Sequence, residues 1–228
     1  MPRTLTIYRL GTVGYDEALA FQRELVEDFA RAPRDAGALI LLEHPPILTI
    51  GRSGTDQNIL VPKEQLAAAG VEVRETNRGG DVTYHGPGQV VGYPILPLEH
   101  HGKDVHAYLR RIESVLMAAL WEYGIKAERK EGFTGVWTPQ GKIASIGVAI
   151  SHWISYHGFA LNVSPNMEHF RLIHPCGLVG VKMASMESVL GRRPERAEVE
   201  GRIIRHFMVE FGFEAGHTLT TMQREETP

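Results

Sequence analysis

The sequence predicts an α+β fold, or mixed α/β, arranged around one sheet. Three observations carry this. Short apolar or alternating runs of strand length dominate the middle of the chain. Helical stretches with one apolar stripe stand before, between and after them. No internal repeat, low-complexity tract or domain-separating linker interrupts the 228 residues, a length that suits one full core or two small ones at most.

The elements follow in order. Leu5 to Arg9 alternates as an edge strand. Tyr15 to Arg31 reads as a helix: Leu19, Gln22, Leu25, Val26 and Phe29 share a stripe, Asp16 is placed to cap it and Pro33 ends it. Ala38 to Glu43 is a continuous apolar run, the pattern of a buried strand; His44-Pro45-Pro46 breaks it and Ile47 to Ile50 resumes. Gly51 to Asn58 is a polar loop. Pro62 to Ala69 is a short helix, with proline suited to its first turn and Gly70 to its end. Val71 to Thr76 alternates as a strand and leads into a glycine-rich loop, Arg78 to Gln89, which Gln89 to Leu96 leaves as another strand.

Lys103 to Tyr123 is the longest helix, with Val105, Leu109, Ile112, Leu116, Ala119 and Leu120 inward and Gly124 as its stop. Strands follow at Ile125 to Arg129, Gly135 to Thr138, Lys142 to Ser151 and Tyr156 to Asn162, the middle two joined by the turn Pro139-Gln140-Gly141. Phe170 to Val181 is irregular, and Ser185 to Leu190 is a short helix. Pro194 to Phe211 is amphipathic, with Val199, Ile203, Phe207 and Val209 to Phe211 inward. The folded unit is expected over residues 1–217, and Thr218 to Pro228, polar throughout, as a frayed tail.

Composition narrows the function. A formal net charge of −3 argues against a nucleic-acid partner, which calls for a strongly basic surface. A single cysteine, Cys176, rules out an internal disulfide and a cysteine zinc cluster. Among eleven histidines no close metal-binding spacing occurs, so no metal is expected. No apolar run approaches the roughly 18 residues of a membrane span. Met1 to Gly11 lacks the apolar core of a secretion signal. A soluble cytoplasmic protein is expected.

The loop R-G-G-D-V-T-Y-H-G-P-G-Q, Arg78 to Gln89, holds four glycines among residues that can bind or position a ligand. A bare hairpin turn needs no such side chains, and glycine lets a ligand approach the main chain closely. The loop reads as one wall of a small-molecule site.

Two further residues carry candidate chemistry. A lone cysteine is most often a small core hydrophobe. Cys176, in His174-Pro175-Cys176-Gly177-Leu178, sits instead in a bend that can present a thiol to a cleft. A thiol acts as a nucleophile only as thiolate, which a neighbouring cation favours. His174 is a candidate for that neighbour. A lysine at a turn is most often solvated. Lys142 opens one of the most apolar strands, with Ala144, Ser145 and Gly147 leaving space beside it, and desolvation makes a lysine a usable base. No phosphate-binding loop is present: five residues separate Gly135 from Gly141, and Ile143 follows Lys142 where serine or threonine belongs. A G-x-S-x-G nucleophile elbow is also absent.

Four segments, R-G-G-D-V-T-Y-H-G-P-G-Q-V-V-G-Y-P-I, G-K-I-A-S-I-G-V, H-G-F-A-L-N-V and H-P-C-G-L, together resemble the lipoyl(octanoyl) transferases of lipoate synthesis. The resemblance runs over roughly residues 5 to 215. It implies a single-domain fold like the catalytic domains of biotin and lipoate protein ligases, a mixed sheet flanked by helices. It implies that Cys176 carries an acyl thioester and that Lys142 is its partner. It implies that the acyl site is lined by Arg78, Gly79, Gly80, Asp81, Val82, Thr83, Tyr84 and His85, by Ser145, Ile146 and Gly147, and by Gly158, Phe159 and Ala160. Tyr84 and His85 are expected to wall or cap the slot. The tetrahedral oxyanion is expected to take donors from backbone near Gly147 or after Cys176.

The same resemblance implies no cofactor beyond the phosphopantetheine on the donor, and no ATP. It implies as partners acyl carrier protein and the lipoyl domains of 2-oxoacid dehydrogenase E2 subunits and of the glycine cleavage H protein. Apart from the resemblance, no membrane partner and a monomer are expected. Acidic partners make Arg129, Lys130, Lys182, Arg192 and Arg193 candidate docking residues. Two other readings stand beside it: an ATP-dependent lipoate or biotin ligase, which has no need of Cys176, and a non-catalytic binding module of the same fold.

Overall fold

The computed structural model describes residues 3–222. Eleven strands and five α-helices alternate: β1 (Thr4–Thr12), α1 (Tyr15–Arg31), β2 (Ala36–Glu43), β3 (Ile47–Ile50), α2 (Lys63–Ala68), β4 (Glu72–Glu75), β5 (Val82–His85), β6 (Gln89–Ile95), α3 (Val105–Trp121), β7 (Glu128–Lys130), β8 (Phe133–Thr138), β9 (Gly141–Ser151), β10 (Ile154–Asn162), α4 (Met186–Leu190), α5 (Arg196–Phe211) and β11 (Ala215–Leu219).

The α+β class predicted from sequence holds, with two sheets where one was expected. The larger has eight strands in the order β11-β1-β2-β6-β10-β9-β8-β7, and the smaller has three, β4-β3-β5. The large sheet is mixed: β1 runs parallel to β2 and β11, and the remaining neighbours are antiparallel. Helices α3 and α5 cover one face, where Leu116, Ile112, Ile203 and Phe207 pack on Leu39, Leu41, Leu161 and Ile143. Helix α1 covers the other, setting Phe21, Leu25 and Phe29 against Ile40, Leu42 and Ala160. Successive strand residues face opposite ways, so the continuous apolar run Leu39 to Leu42 feeds both cores. A third core, with Leu48, Leu66, Tyr84 and Phe170, lies under the small sheet.

Several expectations need correction. The first strand is not an edge, because β11 pairs along it from Thr4 to Tyr8. That strand runs through Leu219, so Thr218 and Leu219 belong to the sheet and not to a frayed tail; residues 223–228 lie outside the described residues. Asp16 does not cap α1. Gly14 holds that position, and Asp16 pairs with Arg74 at 3.1 Å. After α3 the strand begins only at Glu128. Val209 is 77% exposed, since two residues beyond Phe207 the helix has turned away from the core.

Candidate active site

Strand β9 delivers Lys142. Its backbone is fixed on both sides, with N–H donating to Lys182 O at 2.9 Å and C=O accepting from Ala184 N at 2.9 Å. The side chain is 3% exposed and runs past the Trp137 ring, whose centroid is 5.4 Å from Nζ. Nζ stands 3.1 Å from Cys176 Sγ.

Cys176 sits in a single 3₁₀ turn, Pro175–Gly177, at φ 60° and ψ 23°. That left-handed conformation is uncommon for a residue with a side chain, and such strain clusters at functional sites. The turn is tied down at its entry. His174 N–H donates to Asn58 O at 2.8 Å, and Asn58 Nδ2 donates to Asp81 Oδ2 at 2.7 Å. The cysteine turn and the glycine-rich loop therefore share one connector.

The loop itself lies on the sheet. Gly79 N–H donates to Val148 O at 2.8 Å. A Cβ on Gly147 would stand 2.7 Å from Gly79 O, so this approach requires glycine there. Across the strands Gly147 pairs with Gly158, and Gly92 with Phe159. The Gly147–Gly158 pair, without side chains, makes a notch in the sheet, while the Phe159 ring fills the space over Gly92.

A narrow cleft, with about 50 Å³ of room, opens into that notch. Cys176 stands at its partly exposed rim with Gly79, Gly80 and Asp81. Ser145, Ile146 and Gly147 form one side, and Gly158, Phe159 and Ala160 another. Arg78, Thr83 and His85 complete the loop wall.

Of the residues expected to line an acyl site, Val82 and Tyr84 do not. Residues 82–85 form strand β5, and alternation turns Thr83 and His85 to the cleft but Val82 and Tyr84 to the third core. Tyr84 packs edge-on against Phe170 and its hydroxyl bonds His169 Nδ1 at 2.8 Å, so it walls no slot. His174 lines a separate groove with Lys182, and Lys142 is the cation beside the thiol. The N–H groups of Gly177 and Leu178 close the turn onto His174 O and Pro175 O, so they are not free oxyanion donors. Of the expected docking residues, Arg129 pairs with buried Glu113 at 2.9 Å and Lys130 lies over Phe133 and Trp137. Lys182, Arg192 and Arg193 are exposed.

The structure adds residues the sequence did not single out. Tyr15, Tyr93 and His157 line the inner end of the cleft. His157 stood in the H-G-F-A-L-N-V segment, and the period-two pattern of Gln89 to Leu96 could have put Tyr93 on one face. Nothing near Tyr15 marked it. His157 Nε2 donates to Asn77 Oδ1 at 2.9 Å, and Tyr93 hydroxyl donates to His44 Nε2 at 2.7 Å. Burial pushes the His157 pKa down to about 3 and that of His44 down to about 4, and lowers that of His85 well below the usual imidazole value. It raises the Tyr93 hydroxyl well above its usual range. At neutral pH this end of the cleft is polar but uncharged.

Arg78 is the exception. Its guanidinium is buried, donating to Thr49 Oγ1 at 2.8 Å and Gly79 O at 3.1 Å, with no carboxylate at ion-pair distance among the described residues. Desolvation lowers its pKa, opposed by the nearness of Tyr15 and Cys176. A buried cation is costly unless an anion meets it, and the cleft is where one can.

Fold and site define a mixed-sheet α+β domain that holds a thiol and an amine in contact beside a cleft. Residues 14–208 match the family described as the lipoyl protein ligase A/B catalytic domain, and the chain belongs to that family. An octanoyltransferase of Syntrophotalea carbinolica is 47% identical over 203 residues, 89% of this chain and 92% of that one. An octanoyltransferase of Geobacter metallireducens is 44% identical with the same coverage. The fold is shared with lipoate-protein ligase A bound with ATP (TM-score 0.76, 14% identity, 97% of this chain and 91% of that one). It is also shared with a bipartite lipoate protein ligase of Thermoplasma acidophilum, described with its E2 lipoyl domain (TM-score 0.73, 15% identity, 95% and 89%).

Proposed function

We propose that the protein transfers an octanoyl group from acyl carrier protein to the ε-amine of a lysine on lipoyl domains, through a thioester on Cys176. The observation that carries this is the 3.1 Å contact of Lys142 Nζ with Cys176 Sγ at the rim of the cleft. Membership of the family and similarity to octanoyltransferases support it.

The reaction divides into two half-reactions through one covalent intermediate. Lys142 amine takes the thiol proton, and Cys176 thiolate attacks the donor thioester carbonyl. The C–S bond to phosphopantetheine breaks, and Lys142 ammonium returns the proton to the departing thiolate. The acyl chain then lies in the cleft. In the second half an acceptor lysine amine attacks the Cys176 thioester, Lys142 removes a proton from that amine, and Cys176 leaves as thiolate. Thioester-for-thioester exchange is near balanced and the final amide is more stable, so no ATP is needed.

The donors in this reading are acyl carrier proteins. The acceptors are E2 subunits of 2-oxoacid dehydrogenases and the glycine cleavage H protein, and the setting is the cytoplasm. Among the described residues no helix is long and apolar enough to cross a membrane. Incubation with octanoyl-carrier protein, followed by intact mass, tests the reading. Wild type is expected to gain one octanoyl group and Cys176→Ser none. No adduct on wild type, or acylation of a lipoyl domain only from free octanoate with ATP, overturns it.

A further inference from the structure

We propose that a fixed wall of hydrogen-bonded rings closes the inner end of the cleft and limits the length of acyl chain it accepts, with Tyr93 as the specificity-determining residue. This rests on the reading of the cleft as an acyl site.

The cleft deepens away from the thiol. Cys176, Asp81 and Ser145 are partly exposed, whereas Tyr93, His85 and His157 are 3%, 7% and 1% exposed. At that buried end the rings are contiguous. Centroids lie 6.4 Å apart for Tyr15 and His85, 5.8 Å for His85 and His44, 5.9 Å for His44 and Tyr93, and 6.4 Å for Tyr93 and His157.

Each of four rings is also tied through a polar atom. His44 Nδ1 donates to Val13 O at 2.7 Å, which leaves Nε2 to accept the Tyr93 hydroxyl. Tyr15 hydroxyl donates to Thr76 Oγ1 at 2.9 Å, and His157 Nε2 is held by Asn77 Oδ1. Burial alone would be served as well by leucine or methionine, which change rotamer to admit one more methylene. A tyrosine whose hydroxyl is bonded in a dry interior can swing aside only by leaving a buried acceptor unpaired. A wall of this kind gives a sharp cut-off where an aliphatic one gives a gradual one. Tyr93 is placed to set it, since it faces the cleft and bridges His44 to His157.

The test compares octanoyl, decanoyl and dodecanoyl pantetheine thioesters as donors, with the rate of Cys176 adduct formation read by intact mass. Wild type is expected to favour octanoyl over dodecanoyl by about tenfold or more, the scale on which a closed pocket discriminates methylenes. Tyr93→Leu is expected to lower that ratio about tenfold. Tyr93→Phe keeps the ring and loses the bond; it is expected to lower the ratio by a smaller factor, and it decides the matter alone should the leucine variant not fold. Ratios unchanged within about twofold in the folded variants, or a wild type indifferent to length, overturn the proposal. A wild type that takes no octanoyl group overturns the acyl-site reading beneath it instead.

Discussion

A Cβ built on Gly135 would stand 2.5 Å from Cε and 3.1 Å from Nζ of Lys142. The lysine reaches Cys176 across a space that strand β8 leaves empty, and the Gly135 φ of +130° suits only glycine there. Gly135→Ala removes no functional group. It should nevertheless lower acyl transfer about 100-fold, the scale on which a misplaced catalytic group costs rate, with about 1–3 kcal/mol lost from stability through backbone strain. Lys142→Ala should cost about 10²–10⁴-fold, the range for one general acid–base group. Single-turnover transfer rates check both, with circular dichroism showing the fold intact. A Gly135→Ala rate within twofold of wild type would show that Lys142 needs no such clearance.

The left-handed backbone of Cys176 makes a stability prediction of unusual sign. A side chain at this φ costs roughly 1 kcal/mol that glycine does not. Cys176→Gly should therefore unfold at higher denaturant than Cys176→Ala, by about 1 kcal/mol, although glycine elsewhere in a structured segment is the weaker choice. Urea titrations of the two inactive variants measure it. Equal midpoints would mean that the turn carries no strain at this residue.

Asn58 joins the two halves of the site through a single side-chain bond. Asn58→Ala removes the 2.7 Å contact with Asp81 while its backbone oxygen still accepts from His174 N–H. A hydrogen bond to a carboxylate is worth about 1.5–3 kcal/mol, so both the cysteine turn and the loop should loosen. The expected result is a kcat lower by about tenfold with KM for the donor changed less, because the reacting thiol is more sensitive to misplacement than the loop wall, which Gly79 N–H still anchors to Val148 O. Steady-state kinetics with varied donor separates the two; a kcat within twofold of wild type overturns the positioning role.

Much of this was legible in the sequence, for stateable reasons. Cys176 and Lys142 stood out because a bend and a glycine-flanked apolar strand are unusual settings for them. Their pairing followed only from the family resemblance and not from the residues themselves, because the contact spans 34 positions and depends on Lys182 and Ala184 pairing with the Lys142 backbone. Residues 82–85 read as loop because glycines surround them, and this masks the alternation that sends Tyr84 to a core. Strand β11 has no apolar signature in the sequence, since Ala215 to Thr218 are exposed and are held by pairing with β1, not by burial of their own. Arg78 reads as a ligand contact, and only the fold reveals a buried cation with no carboxylate at ion-pair distance among the described residues.

The buried histidines make the protein acid-sensitive in a defined window. His44 and His157 hold pKa values of about 4 and about 3 in the folded chain against 6.5 when unfolded, because burial disfavours the charged ring. His85 shifts in the same direction. Between the folded and unfolded values the unfolded chain binds more protons, so stability is fully present above pH 6.5 and is lost as pH falls toward 4. Each of the two costs up to about 1.4 kcal/mol per pH unit across that window. Against a typical total of about 5–15 kcal/mol, these two groups remove a substantial share of the stability by pH 5. Thermal melts in low-absorbance buffers from pH 8 to pH 4 should show a flat Tm above pH 6.5 and a steepening fall below it. A Tm that stays level down to pH 4.5 would mean these imidazoles take up protons without leaving their places in the fold.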